Sequence, residues 1–174
     1  MGNNKKQLYR CISFLNLLKS IGEDKVSEES GRIEERIAKY LRLMNLKFEW
    51  REKDKVFLVP YKISGRKHVV VIFVTNNWVW MRCGIIRKEE IPRRKELELY
   101  KVLLKANHDY PEFVFDMDKD GNIGTSQEIY VDALNFDVFE EEFLAIPFAI
   151  KFFWEKIAPA LGKKEPERTE WIYI

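Results

Sequence analysis

Leu8, Cys11, Ile12, Leu15 and Leu18 recur at three- and four-residue steps and predict one apolar face of a helix. The polar stretch GEDKVSEESG follows, and Ser30 and Gly31 at its end suit a helix start. Ile33, Ile37, Leu41 and Met44 lay a second helical stripe, with Asn45 as its C-terminal stop. The period then shortens to two. Leu46, Phe48 and Trp50 alternate with Lys47, Glu49 and Arg51, the pattern of a half-buried strand. REKDK reads as a turn and VFLVPYKI as a second strand, in which Pro60 belongs at an edge or a bulge. After a turn at SGRK, HVVVIFVT is apolar on both faces and predicts a central strand covered on both sides. Asn76-Asn77 then makes a tight link, at which asparagine tolerates left-handed backbone, to a fourth strand, WVWMRCGII.

Ile91-Pro92 breaks the pattern, and Pro92 suits the first turn of a helix that carries Leu97, Tyr100, Leu103 and Leu104 on one side. PEFVFD and EIYVD read as short strands. A last helix runs from about Asp137 to Ala160, with Asp137 as its cap, Glu140 as the capping-box partner, and Pro147 as a kink. Glu141 and Glu142 favour the positive end of its dipole. In the segment GKKEPERTEWIYI a polar run turns abruptly apolar, so it is either disordered or docks Trp171 to Ile174 as a strand. The order is helix, helix, four strands, helix, two strands, helix. That is an α+β fold with a largely antiparallel sheet and helices packed on it. We divide the chain into an N-terminal helix extension (1–24), an α+β domain (25–160) and a C-terminal tail (161–174).

The last helix has more apolar surface than one sheet can cover. Phe139, Phe143, Ile146, Ile150, Phe153 and Ile157 form one stripe. Leu144, Phe148 and Phe152, each four apart, form a second. One stripe suffices against a sheet. The second calls for another cover, either the helix Leu8 to Leu18 or a second subunit. Leu144, Phe148 and Phe152 are therefore the candidate partner or dimer interface.

Composition narrows the function. The chain has 174 residues, 46% of them apolar and 14% aromatic, which fits one domain with an extra element. Charged residues are 33% of the chain, yet the net charge is only +2, which argues against a dedicated nucleic-acid face. Lys, Arg and Glu are abundant while glutamine is confined to Gln7 and Gln127, a bias shared with proteins of hot-growing organisms. Cys11, Cys83, His68 and His108 are too few and too scattered for a nitrogen–sulfur zinc site, and the thiols read as buried residues in a reducing cytosol. The basic start followed by apolar residues is interrupted by Arg10, Ser13 and Asn16, which favours an amphipathic helix over a secretory leader. HVVVIFVT is too short to cross a bilayer. The expectation is a soluble, cytoplasmic protein.

DMDKDGNIGTSQE (Asp116 to Glu128) resembles a calcium loop. Asp116, Asp118, Asp120, Gly121 and Ile123 fall where an EF-hand needs them. The twelfth position is Gln127, where a bidentate glutamate is required, and Glu128 comes one residue late. The flanks are β-prone and Asp120-Gly121 is a hairpin signal, so the expectation is a metal-free hairpin, with weak calcium binding as the alternative. Trp78, Trp80 and Tyr61 could stack on bases, but the ordinary expectation is packing under a helix. RKEEIPRRKE sets basic residues near a helix start, where an anion could bind; its interleaved glutamates favour a solvated face. No P-loop, GxGxxG, GxSxG or HExxH is present, and the carboxylate pairs Glu28-Glu29 and Glu140 to Glu142 lie in polar surroundings. Neither an enzyme nor a cofactor is expected.

The stretch from LYKVLLKANHDY through the last helix resembles the YbjN family and the related type III secretion chaperone-like fold. Leu103, Leu104 and Asn107 match a helical "LL..N" pattern. Phe113, Phe115, Asp120 and Gly121 match the hairpin that follows, and the helix from Asp137 completes the match. The resemblance covers roughly Ile33 to Ile157; the helix Leu8 to Leu18, Pro147 and the tail depart from it. It implies a non-catalytic protein-interaction module, chaperone-like or regulatory, acting as a homodimer with a protein partner. A calcium- or small-ligand-responsive protein using Asp116 to Asp120 is the alternative.

Overall fold

The computed structural model describes residues 29–63, 65–162 and 172–173. The helix expected over Leu8 to Leu18, and with it Cys11, lies outside the described residues. Helix α1 (Glu29–Leu43) buries Ile33, Ile37 and Leu41, one side chain per turn. Ser30 and Gly31 lie inside its first turn rather than ahead of it. Asn45 ends it with φ 56°, and the Leu46 N–H returns to the Leu41 carbonyl at 2.9 Å.

Four strands follow: β1 (Glu49–Arg51), β2 (Val56–Ile63), β3 (Arg66–Val74) and β4 (Trp78–Ile86). Short 3-10 turns lead into α2 (Glu96–Asp109), then β5 (Val114–Met117), β6 (Ile123–Tyr130) and α3 (Phe136–Phe152). After a π turn and a 3-10 turn, β7 (Ile172–Tyr173) completes a seven-stranded antiparallel sheet. Its order is β1-β2-β3-β4-β6-β5, with β7 pairing β2. Helices on an antiparallel sheet give the expected α+β class.

The pleat sorts the side chains of each strand. Phe57, Val59, Tyr61, Val70, Ile72, Val79, Met81, Ile123 and Ile129 face the helices and form the main core with Phe139, Phe143, Ile146 and Ile150 of α3. Val56, Leu58, Val71 and Phe73 form a second apolar cluster, with Val69 and Trp80 against it. β3 is thus buried on both sides, as its continuous apolar run predicted. Pro60 sits between the part of β2 that pairs β1 (Val56 to Leu58) and the part that pairs β7 (Tyr61 and Lys62), a gap in pairing on that side among the described residues, while on the other side it lies opposite Val69 of β3.

Several local expectations are corrected. On α2 the buried residues are Leu99, Leu103 and Ala106, whereas Leu97 and Leu104 are 67% and 70% exposed. Leu99, Leu103 and Ala106 share a face at four- and three-residue steps, and Leu97 and Leu104 share another seven apart; leucine content alone did not distinguish the two. Helix α3 is capped by Asn135, whose side chain accepts the Val138 N–H at 3.0 Å, so Asp137 lies in the first turn instead of capping it. The helix continues through buried Pro147 to Phe152. Asn76 and Asn77 are not among the residues with positive φ. The Thr75 N–H donates to the Trp78 carbonyl at 2.8 Å and the Thr75 hydroxyl accepts the Trp78 N–H at 3.0 Å, closing the turn without left-handed backbone. β6 begins at Ile123, inside the supposed calcium loop, so the hairpin link is shorter than the sequence suggested. The tail resolves in favour of docking, since Ile172 and Tyr173 pair with Lys62 and Tyr61.

Candidate partner-binding face

The two stripes of α3 part company in the structure. Phe139, Phe143, Ile146, Ile150 and Phe153 are fully buried, and Ile157 is nearly so. Of the second stripe, Leu144 is 42% and Phe148 47% exposed, while Phe152 is half-buried. Phe152 is wedged among Tyr110, Phe113 and Phe115, with ring centroids 4.9, 5.3 and 6.4 Å away. Phe148 rests one edge on Phe113, at 5.6 Å, and turns the rest outward. The stripe is thus half anchored and half presented: Phe152 belongs to an aromatic cluster beneath α2 and β5, and Leu144 and Phe148 reach the surface.

An open groove of about 760 Å³ adjoins Leu144 and Phe148. Its apolar lining is Tyr110, Pro111, Leu144, Ala145 and Phe148. Its polar lining is Glu112, Gln127, Glu128, Glu141 and Glu142. Three separated segments build it: the loop after α2, the second half of β6, and the middle of α3. Gln127 donates to the Glu112 carbonyl at 2.8 Å, tying that loop to the strand. β5 pairs β6 only as far as Ser126, so beyond that point β6 has no neighbouring strand on this side among the described residues. Glu142 is held above the ordinary carboxylate range, first by burial and then by the charge of Glu141. The periodicity of α3 revealed Leu144 and Phe148, but nothing local in the sequence brings Glu112 and Glu128 beside them.

The hairpin from Asp116 to Asp120 is built from its own acidic side chains. Asp118 Oδ1 accepts the N–H groups of Asp120 and Asn122, each at 2.9 Å, and Oδ2 accepts the Asn122 side-chain amide at 2.7 Å. Gly121 takes φ +82°, as an Asp-Gly tip requires. Asp116 leaves the loop and pairs with Arg82 at 3.0 Å. Among the described residues no three histidine, cysteine, aspartate or glutamate side chains are grouped to hold a metal ion.

The three aromatics of the base-stacking reading are not on one surface. Tyr61 points into the core against Phe143, at 5.7 Å. Trp78 and Trp80 lie on the opposite face, Trp78 edge-on to Tyr130 at 5.3 Å and Trp80 stacked on Phe73 at 5.9 Å. The expectation that all three pack under a helix therefore holds for Tyr61 alone among described contacts, because strand alternation gives the tryptophans the other parity. In RKEEIPRRKE, Lys88 is paired with Glu96 and donates to the Tyr100 hydroxyl at 3.1 Å, and Lys95 meets Glu98 at 2.7 Å. Glu96 first and then the Tyr100 hydroxyl hold the Lys88 ammonium above the ordinary lysine range. Arg93 and Arg94 are exposed. Of the carboxylate pairs, Glu28 lies outside the described residues, and Glu140 to Glu142 occupy the second turn of α3. No helix among the described residues is long and apolar enough to cross a membrane.

No protein-family model and no curated protein sequence matches the chain. Solved structures do. A chain of the HopA1–SchA chaperone–effector complex is 11% identical with a TM-score of 0.53, covering 73% of this chain and 96% of that one. YbjN from E. coli is 12% identical with a TM-score of 0.52, over 69% of this chain and 89% of its own. A chain of the ExoU–SpcU heterodimer, from the type III secretion system of Pseudomonas aeruginosa, is 11% identical with a TM-score of 0.51, over 71% and 95%. The described part of this chain thus has the YbjN and type III secretion chaperone-like fold.

Proposed function

We propose that this protein is a non-catalytic protein-interaction module, chaperone-like or regulatory in role and homodimeric, and that Leu144 and Phe148 contact its protein partner. The observation that carries the reading is the split character of α3. Its first stripe is consumed by the core, while its second presents a half-exposed phenylalanine and a leucine over a groove. Aromatic side chains held at one edge and open at the other are the usual anchors of protein interfaces. One of the matched solved structures is a chaperone–effector complex and another a heterodimeric complex, which supports a protein as the ligand class.

The test is parallel affinity capture from native cells with the wild-type chain and Phe148→Asp, read by mass spectrometry. Circular dichroism first establishes that both are folded. The expected result is a protein held by the wild type and lost by the variant. Recovery of the same proteins by both chains would remove Phe148 from the interface and sink the reading.

A further inference from the structure

Leu144 and Phe148 do not stand on neutral ground. Four glutamates line the same groove, Glu112, Glu128, Glu141 and Glu142, and no lysine, arginine or histidine lines it. Across the chain Lys and Arg outnumber Asp and Glu, 30 to 28, so this one-signed lining is a local departure from the average surface. The acids come from three elements that meet only in the folded protein, and none of the four is in an ion pair recorded among the described residues. Like charges gathered around a partly apolar floor destabilise the unbound protein, and a partner of opposite charge relieves them.

Resting on the interaction-module reading, we propose that the groove binds a segment of another protein that carries lysines or arginines interleaved with apolar side chains. The apolar residues meet Phe148, Leu144 and Tyr110, and the basic residues meet Glu112, Glu128, Glu141 and Glu142. A second copy of the same chain is a poor occupant. A two-fold contact would set this patch against itself. Four glutamates would then face four glutamates, a juxtaposition that opposes binding. The homodimer therefore assembles through another surface, and the groove remains open to the partner.

The test uses the full chain and three short fluorescent peptides: alternating lysine and leucine, alternating glutamate and leucine, and alternating lysine and serine. Binding is read by polarisation at low and high salt, and the site by amide NMR shifts. The lysine–leucine peptide should bind best and shift residues around Glu128, Glu142 and Phe148. The triple variant Glu128→Gln, Glu141→Gln, Glu142→Gln should bind it about tenfold more weakly, with a flattened salt dependence. Equal binding of the glutamate–leucine peptide, unchanged affinity in the triple variant, or shifts elsewhere would overturn the proposal. So would a dimer that dissociates on Phe148→Asp in sedimentation, since the groove would then be the self-contact. If Phe148→Ala loses the lysine–leucine peptide while the triple variant keeps it, the face binds protein without charge selection. This inference then falls and the interaction-module reading stands.

Discussion

Asn107 closes the outer edge of the sheet at Phe115. Its side-chain oxygen accepts the Phe115 N–H at 2.8 Å, and its amide donates to the Phe115 carbonyl at 3.0 Å. Among the described residues β5 is the last strand of the main row, so those two backbone groups point where no further described strand pairs with them. A side chain on α2 thus occupies, with both its donor and its acceptor, the position a seventh strand in the main row would take. This gives the asparagine of the "LL..N" pattern a physical task.

Asn107→Ala should leave both groups without that partner, at about 1–3 kcal/mol. It should also raise self-association through the freed edge. Urea titration measures the first effect and concentration-dependent light scattering the second. Asn107→Asp keeps the acceptor and loses the donor, so its cost should be intermediate if the edge bond is the cause. An alanine variant as stable and as monodisperse as the wild type would contradict this account.

Gly124 lets Arg82 and Asp116 meet across β6. A Cβ at Gly124 would lie 2.9 Å from Asp116 Oδ1 and 2.9 Å from the Cys83 carbonyl oxygen. The carboxylate can swing aside, but the carbonyl belongs to the β4 backbone. Gly124→Ala should therefore displace the Arg82–Asp116 pair and destabilise the hairpin by about 1–3 kcal/mol. Thermal unfolding gives the loss, and Arg82 side-chain NMR signals report the broken pair.

His68 sets an acid limit on stability. It is 2% exposed, donates from Nδ1 to the Gly84 carbonyl at 3.1 Å, and leaves Nε2 buried without a hydrogen-bond partner among the described residues. Burial, with a smaller push from the Arg66 charge, lowers its pKa from 6.5 to about 4 against the opposing pull of the Gly84 carbonyl. Between those pH values the unfolded chain takes up a proton that the folded chain refuses. Stability should therefore fall as pH drops from 6.5 toward 4, by about 3 kcal/mol from this residue, and be unaffected by it above that window. His68→Phe should flatten the slope in urea titrations across that range. Equal slopes for the two proteins would refute the assignment.

The two stripes of α3 should separate in mutagenesis. Phe143 is fully buried, and Phe143→Ala should cost about 3–5 kcal/mol. Phe148 is 47% exposed and touches Phe113 at one edge, so Phe148→Ala should cost about 1 kcal/mol while abolishing partner capture. Similar stability losses at both positions would place Phe148 in the core.

Much of this was legible in the residues, and the rest was not for physical reasons. β2 and β4 were readable end to end because β-prone apolar runs stood between strong turn signals. The buried stripe of α3 was readable because six large side chains kept a helical period. The face of α2 was misread because leucines occur on both sides of it, and only the neighbouring sheet selects one. The parity of Trp78 and Trp80 depends on which side of the sheet the helices choose, a tertiary fact. The groove was half visible: Leu144 and Phe148 announce themselves along α3, but Glu112 and Glu128 join them only through long-range pairing. The Asp116 to Asp120 loop looked like a metal site because the same acidic side chains that suit calcium also suit a turn that accepts its own N–H groups.

The divided edge of β2 bears on the order in which the sheet assembles. β1 reaches β2 through a short turn, whereas β7 must find Tyr61 and Lys62 from far along the chain and pairs there over two residues. Contacts so distant and so brief form late and open early. Successive amides of β2 point to opposite sides, so of Tyr61 and Lys62 only the one directed at β7 rather than at β3 should open by hydrogen exchange in events much smaller than global unfolding. Along that edge Pro60, with no amide to exchange, then marks the border between pairing that is zipped early and pairing that keeps breathing, while β3 holds the whole length of β2 from the other side.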